Sequence, residues 1–289
     1  MNIGIVGLGL IGGSLGRTIV NKTKDTVFAF DTSKKAMLDG RLLGAFHEQL
    51  NDDNIGKLDV LVLSLYPKAL LDNIDEYCKK LPKNAIVLDV CGNKRAIVSK
   101  MKELASKYPH LNFISSHPMA GREFSGVSHS TASLFERASM ILVPVNAGLK
   151  VISSIKAYFL AIGFGSVVIT SAERHDKIIA YTSQLAHLVS SSYIKSQTAQ
   201  EFMGFSAGSF RDMTRVARLS PEMWAQLTID NADFLVNELD SLIDRLNEYK
   251  SALKNNDYEQ MKKLLDDGNQ KKLLSEKMRR DWNKNESKS

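Results

Sequence analysis

Asn2-Ile3-Gly4-Ile5-Val6-Gly7-Leu8-Gly9-Leu10-Ile11-Gly12-Gly13-Ser14 stands at the start of the chain, and its reading decides the fold. Residues 2–6 read as a short apolar strand, Gly7 to Gly12 spells Gly-x-Gly-x-x-Gly, and a helix is predicted from about 12 to 20. In such a strand–turn–helix the first glycine permits the tight turn. The second lets the backbone approach a pyrophosphate, and the third lets helix and strand pack closely. The helix N-terminus adds free N–H groups and a partial positive charge for the phosphates. A second predicted strand, residues 26–30, runs into Asp31, nineteen residues after Gly12. An acid about 20 residues beyond the glycines is placed to bond the ribose hydroxyls of NAD. A carboxylate there repels a 2′-phosphate, and no arginine follows at once, so NAD is expected over NADP. The expected cofactor-binding residues are Gly7, Leu8, Gly9, Leu10, Ile11, Gly12 and Asp31.

Outward from this motif, a helix is predicted over 34–43 and further strands over 60–65, 85–90, 113–115, 140–144 and 167–170, with helical stretches between most of them. The run over 60–65 is apolar throughout, as in a sheet covered on both faces. Alternating strands and helices imply an α/β Rossmann-type, mostly parallel, doubly wound sheet. Strand signals nearly stop after Thr170, and helices are predicted over 172–196, 210–219, 222–249 and 258–284. The expected division is a dinucleotide-binding domain over 1–170 and an all-helical substrate and dimerisation domain over 171–289. Leu227, Leu235, Leu239, Leu242, Ile243 and Leu246 give the 222–249 helix a broad apolar face, which packs either internally or on a second subunit. Residues 283–289 are expected to fray.

Composition narrows the class. A length of 289 residues suggests two domains, and 44% hydrophobic with 24% charged residues excludes a disordered or collagen-like chain. The longest apolar runs fall far short of the ~18–20 residues that cross a membrane, and no secretory signal is expected. Cys78 and Cys91 form no Cys-x-x-Cys pair and suit a reducing, cytoplasmic setting; no metal site is expected. The net charge is +6, but residues 250–289 hold eleven Lys and Arg against seven Asp and Glu. Such a tail is either a nucleic-acid patch or a solvated helix end; interleaved acids and sparse aromatics favour the latter, so no nucleic-acid partner is expected.

Three further segments carry candidate chemistry. Ser116-His117-Pro118-Met119-Ala120-Gly121 follows a strand, where carboxyl ends meet a ligand crevice. A histidine there can take a proton near pH 7, and Pro118 restricts it to extended backbone; a lone histidine before proline can equally be structural. Glu123 lies close by in sequence. On the helix opened by Glu173-Arg174-His175-Asp176, regular spacing puts Asp176, Ser183 and His187 on one face, a polar stripe that either lines a cleft or consists of satisfied interface groups. In Ser209-Phe210-Arg211-Asp212-Met213-Thr214-Arg215, Ser209 and Asp212 fit an N-cap and capping box. Arg211 and Arg215 then share a face, suited to carboxylates or to surface pairs. Pro221 starts the next helix, with Trp224 expected in core or interface packing.

Taken together, Gly7–Ser14, the His-Pro-Met-Ala-Gly segment with Glu123, the segment from His175-Asp176 to Ser183-Gln184-Leu185-Ala186-His187, and Phe210 to Arg215 followed by Pro221 and Trp224 resemble the prephenate/arogenate dehydrogenases of tyrosine biosynthesis. The resemblance covers nearly the whole chain. It implies NAD-dependent oxidative decarboxylation of a cyclohexadiene dicarboxylate, prephenate to 4-hydroxyphenylpyruvate, by a homodimer. It also implies that His117 bonds the ring hydroxyl and draws off its proton, that Arg215 binds a substrate carboxylate, and that His187 and Ser183 line the pocket with Arg211 and Glu123 nearby. The family often carries Asp-x-x-Ser-x-Lys; here Asp89-Val90-Cys91-Gly92-Asn93-Lys94 puts Gly92 at the serine, leaving Asn93, Cys91 or a water as substitutes. Gln184 and Ala186 stand where His and Pro are common. No fused mutase or regulatory domain is expected. Arogenate is the alternative substrate. Other readings are a two-domain β-hydroxyacid dehydrogenase or imine reductase, and a non-catalytic NAD-sensing or nucleic-acid-binding protein.

Overall fold

The computed structural model describes residues 1–286. By internal packing the chain divides into two compact units, Met1–Ala232 and Asp233–Ser289. The first holds an eight-stranded sheet: β1 Asn2–Val6, β2 Thr26–Phe30, β3 Glu48–Gln49, β4 Val60–Leu63, β5 Ile86–Asp89, β6 Asn112–Pro118, β7 Ser139–Pro144 and β8 Ser166–Ile169, in the order β3-β2-β1-β4-β5-β6-β7-β8. Strands β1 to β6 are mutually parallel, β7 runs antiparallel to β6, and β8 is parallel to β7. The doubly wound expectation holds, with an antiparallel turn-back and an edge strand β3 that two residues were too short to signal.

The alternation along each strand explains the two layers. Ile3, Ile5, Val27, Ala29, Val60, Val62 and Leu88 pack with Leu15 and Ile19 of α1 (Leu10–Lys22) and with Ile155 and Phe159. Their neighbours Val6, Phe28, Leu61, Leu63 and Val87 face the other way. There they meet Leu70 and Ile74 of a helix over Pro67–Cys78 and Ile97, Met101 and Leu104 of one over Arg95–Lys107. With α2 (Lys34–Leu42) between β2 and β3, these helices are α3 and α4, and α5 (Leu149–Ala161) carries Ile155 and Phe159. Side chains two apart share a face, so runs that are apolar at every position serve both covered faces.

The helices beyond β8 depart from their predicted outlines. The segment expected over 172–196 is α6 (Ala172–Ile179), a π-helical turn (Ala180–Leu185) and α7 (Ala186–Tyr193). The one expected over 210–219 is α8 (Gly208–Thr214) tightening into a 3-10 turn at Arg215–Ala217. Its N-cap is Ala207 and no side chain caps it, so the Ser209–Asp212 capping box does not form. The helix expected over 222–249 is broken into α9 (Pro221–Ile229), which carries Leu227, and α10 (Ala232–Lys254), which carries the other apolar residues expected on that face. The break has a cause: Asn231, wholly buried, gives its amide to the Asp176 carbonyl and Gln184 Oε1 and accepts from Arg95.

The second unit is an antiparallel helix pair, α10 and α11 (Tyr258–Glu286), with the Tyr249 hydroxyl donating to the Leu264 carbonyl at 3.1 Å. Val236, Ile243, Leu246 and Leu253 of α10, and Leu265, Leu273, Leu274 and Met278 of α11, are exposed. Residues to 286 continue the helix; of the fraying expected over 283–289, the part at 287–289 lies outside the described residues. Among the described residues no helix is long and apolar enough to cross a membrane.

Candidate active site

The carboxyl ends of β1, β4, β5 and β6 lie on one edge of the sheet, and the order of connection reverses between β1 and β4, where such folds bind ligands. At that point Gly7 adopts φ +95° and donates its amide to the Phe30 carbonyl. A Cβ on Gly7 would fall 2.2 Å from the Ser64 carbonyl oxygen, and one on Gly12 would fall 2.0 Å from that of Gly7. A Cβ on Gly9 would meet nothing within 4 Å. Two of the glycines are therefore demanded by packing, while Gly9 keeps an open face above the N-terminus of α1, which begins at Leu10 and includes Ile11. Asp31 follows β2, half-buried, and its carboxylate accepts from the Leu8 amide at 2.7 Å and the Ser33 amide at 2.8 Å. The acid is locked to the glycine loop, and the cradle fits a dinucleotide.

His117 lies within β6 rather than after it, because the strand extends to Pro118 through its pairing with β7. Its Nδ1 is 2.9 Å from Nε2 of His175, whose Nδ1 is 2.7 Å from Asp176 Oδ1. No hydrogen bond to Nε2 of His117 is formed by any described residue. Desolvation, then His175 and Lys94, hold the pKa of His117 well below the ordinary imidazole value. Asp176 does not join the polar stripe expected with Ser183 and His187. It is buried, and accepts from the backbone amides of Lys94 at 2.8 Å and Arg95 at 2.9 Å and from Arg95 Nε at 3.3 Å. The π-helical turn over Ala180–Leu185, to which Ser183 belongs, changes the residues per turn and breaks the regular spacing on which that stripe rested.

Lys94 is wholly buried and holds the floor of this region. Its Nζ donates to Asp89 Oδ2 and the Ser116 carbonyl, while Asp89 also accepts from the Cys91 and Ser116 amides and the Ser115 hydroxyl. Gly92 has a packing reason: a Cβ there would lie 3.2 Å from a Leu227 methyl. Neither neighbour supplies the missing hydroxyl. Asn93 donates to the Leu227 carbonyl and accepts from Gln184, and the Cys91 thiol donates to the Leu65 carbonyl. Gln184, which replaces the family's common histidine, is buried in this amide network.

A second group surrounds Arg215. Its Nη1 pairs with Glu123 Oε1 at 2.5 Å, on the loop leaving β6. The Glu123 backbone amide, then Arg215, hold that carboxyl below its usual range. His187 donates Nδ1–H to the Ser183 carbonyl at 2.8 Å and packs against Trp224 with ring centroids 3.9 Å apart and the planes tilted by 30°. Its pKa is lowered, first by burial, and Arg215 also opposes protonation. Arg211 is exposed, and its guanidinium makes no hydrogen bond or ion pair with the described residues. The structure thus brings Glu123, Arg215, His187 and Ser183 together and leaves Arg211 aside. His175 and Lys94 carry no role in the sequence reading, and Trp224 is expected there only in core or interface packing; the tertiary contacts single them out.

A sheet in this order, with a glycine cradle and an acid at the second strand, defines a dinucleotide-binding fold of the dehydrogenase class. The family model described as prephenate dehydrogenase, nucleotide-binding domain, matches residues 15–169, and that described as prephenate dehydrogenase, dimerization domain, matches residues 171–267. The cyclohexadienyl dehydrogenase of Zymomonas mobilis is 32% identical over 266 residues, 89% of each chain. The prephenate dehydrogenase of Bacillus subtilis is 26% identical over 89% of this chain and 71% of its own. A crystal structure of the Aquifex aeolicus prephenate dehydrogenase with hydroxyphenyl propionate and NAD+ superposes with a TM-score of 0.79 at 24% identity, over 95% of this chain and 98% of that one. The chain belongs to the prephenate dehydrogenase family.

Proposed function

We propose that this chain is a cytoplasmic homodimer that oxidatively decarboxylates prephenate to 4-hydroxyphenylpyruvate with NAD. His117 carries the reading. It is an imidazole kept neutral at the carboxyl end of β6, with a ring nitrogen that no described residue engages. A neutral imidazole can accept the ring hydroxyl's proton as the hydroxyl-bearing carbon gives up hydride and the ring carboxylate departs as CO2, leaving an aromatic phenolate that takes the proton back from the imidazolium to become the phenol. When bound, NAD supplies the hydride acceptor. Asp31 is suited to the ribose hydroxyls and disfavours a 2′-phosphate, and Gly9 leaves room for the pyrophosphate. Arg215 offers its guanidinium to a substrate carboxylate in exchange for Glu123, beside His187 and Ser183. Arg211, exposed on α8, is the outermost candidate for the second carboxylate. Gly92 lines the site by backbone only.

The homodimer rests on the dimerization-domain match and on the exposed apolar residues of α10 and α11, a patch that association would bury. Arogenate is the second substrate to test, because the Zymomonas mobilis relative is named for the cyclohexadienyl ring and not for one acid. The decisive assay follows NADH or NADPH formation from each ring substrate with each cofactor. Prephenate with NAD is expected to give the highest kcat/KM, and His117→Asn to lower kcat by ~10²–10⁴-fold with NAD affinity unchanged. Absence of turnover by folded, NAD-binding protein, or full turnover by His117→Asn, overturns the reading.

A further inference from the structure

We propose that His175 is a positioning residue that holds His117 in the one neutral tautomer able to accept a proton at Nε2. The proposal rests on the reading of His117 as the base. Asp176 anchors the chain of contacts: its two oxygens accept from the Lys94 and Arg95 amides and from Arg95 Nε. Two backbone amides on the carboxylate favour its ionised form; burial opposes it, but the bond to His175 and then the Arg95 and Lys94 amides hold the carboxyl below its usual range. An ionised carboxylate only accepts hydrogen bonds. His175 Nδ1, 2.7 Å from Asp176 Oδ1, must therefore carry the hydrogen. Burial holds the His175 pKa down, so the ring is neutral and its Nε2 is a bare acceptor. At 2.9 Å that acceptor requires a hydrogen on Nδ1 of His117, since two lone pairs would otherwise face each other. The lone pair of neutral His117 then falls on Nε2, the nitrogen that no described residue engages.

A proton taken up at Nε2 makes His117 a stronger donor at Nδ1. The resulting charge is met by the His175 dipole with the Asp176 carboxylate behind it. Three residues from two elements, the end of β6 and the first turn of α6, thus set the direction of one proton transfer. Arg95 and the Lys94 amide act at one remove, by keeping Asp176 anionic.

Nitrogen-15 NMR of histidine-labelled full-length protein tests this directly, with the His117 signals assigned by their loss in His117→Asn. Wild-type His117 is expected to show a protonated Nδ1 and an unprotonated Nε2. His175→Gln, whose Oε1 can still accept, should keep that pattern and retain at least about a tenth of kcat. His175→Leu, which cannot accept, should release His117 to the Nε2–H tautomer. Its kcat should drop by ~10²-fold, with the prephenate KM within about threefold and NAD affinity unchanged. A hydrogen on Nε2 of His117 in the wild type overturns the proposal, whichever variants fold. So does a folded His175→Leu with undiminished kcat. Failure of the underlying reading looks different: His117→Asn itself would then turn over normally.

Discussion

Lys94 Nζ donates to Asp89 Oδ2 at 2.5 Å, with both side chains wholly shielded from solvent, and a second bond at 2.6 Å ties the same ammonium to the Ser116 carbonyl next to His117. A buried charge is tolerated only when its partners are in place. Removing one member of such a pair costs about 3–5 kcal/mol. Lys94→Met should therefore lower the free energy of unfolding by about that much in urea titrations. A loss under about 1 kcal/mol would show that water or a shifted backbone compensates Asp89.

The three glycines of the loop should separate into packing and binding roles. Gly12→Ala places a methyl 2.0 Å from the Gly7 carbonyl oxygen and should destabilise the fold. Gly9→Ala meets nothing in the protein itself, so its thermal midpoint should match the wild type. Its NAD affinity should fall at least about tenfold, because the methyl occupies the face offered to the pyrophosphate. Calorimetric titration of NAD checks this, and unchanged affinity would place the phosphates elsewhere.

Gly92→Ser restores the hydroxyl common in the family but adds a Cβ 3.2 and 3.5 Å from the two Leu227 methyls. Crowding of this kind costs about 1 kcal/mol or more. The cost should shrink when Leu227 is also cut back to Ala, as a double-mutant cycle of unfolding free energies would show. Additive effects would mean that Leu227 swings away freely.

The pH dependence follows from three imidazoles, His117, His175 and His187, each held below its ordinary value first by burial. Neutral His117 is the proton-accepting form, so kcat/KM should stay on its plateau through pH 6.5 and decline only below it. An acid limb centred above 6.5 would contradict this. Stability runs the same way. The unfolded chain binds protons near pH 6.5 while the folded chain resists them, so the thermal midpoint should fall as pH drops below about 6.5.

Much of the fold and of the candidate site was legible in the sequence because its signals are local. The Gly7–Gly12 spacing and the offset to Asp31 fix a turn, a helix start and an acid within one β-α-β unit, and the apolar runs of β1, β4 and β5 fix a sheet covered on both faces. His117 and Arg215 were singled out by motifs whose residues lie side by side in the chain. Regular helical spacing, by contrast, put Asp176 in a stripe with Ser183 and His187. It failed because a π-helical turn over Ala180–Leu185, which contains Ser183, interrupts the run from Asp176 to His187, and no residue type there marks that turn.

What the sequence determined by itself is the dinucleotide fold and the kinds of side chain at the carboxyl edge of the sheet, since hydrophobic period and glycine spacing act over a few residues. Which of those side chains meet was decided only by tertiary structure. His117 and His175 are 58 residues apart, Glu123 and Arg215 are 92 apart, and Gly92 and the Leu227 methyls that would crowd a side chain there come from opposite halves of the chain. Hydrogen bonds and van der Waals contacts act over a few ångströms, so such pairings exist only once the sheet and the helices that follow it have packed. The tautomer of His117 is of the same kind: it depends on a carboxylate two hydrogen bonds away, fixed in place by the start of another helix.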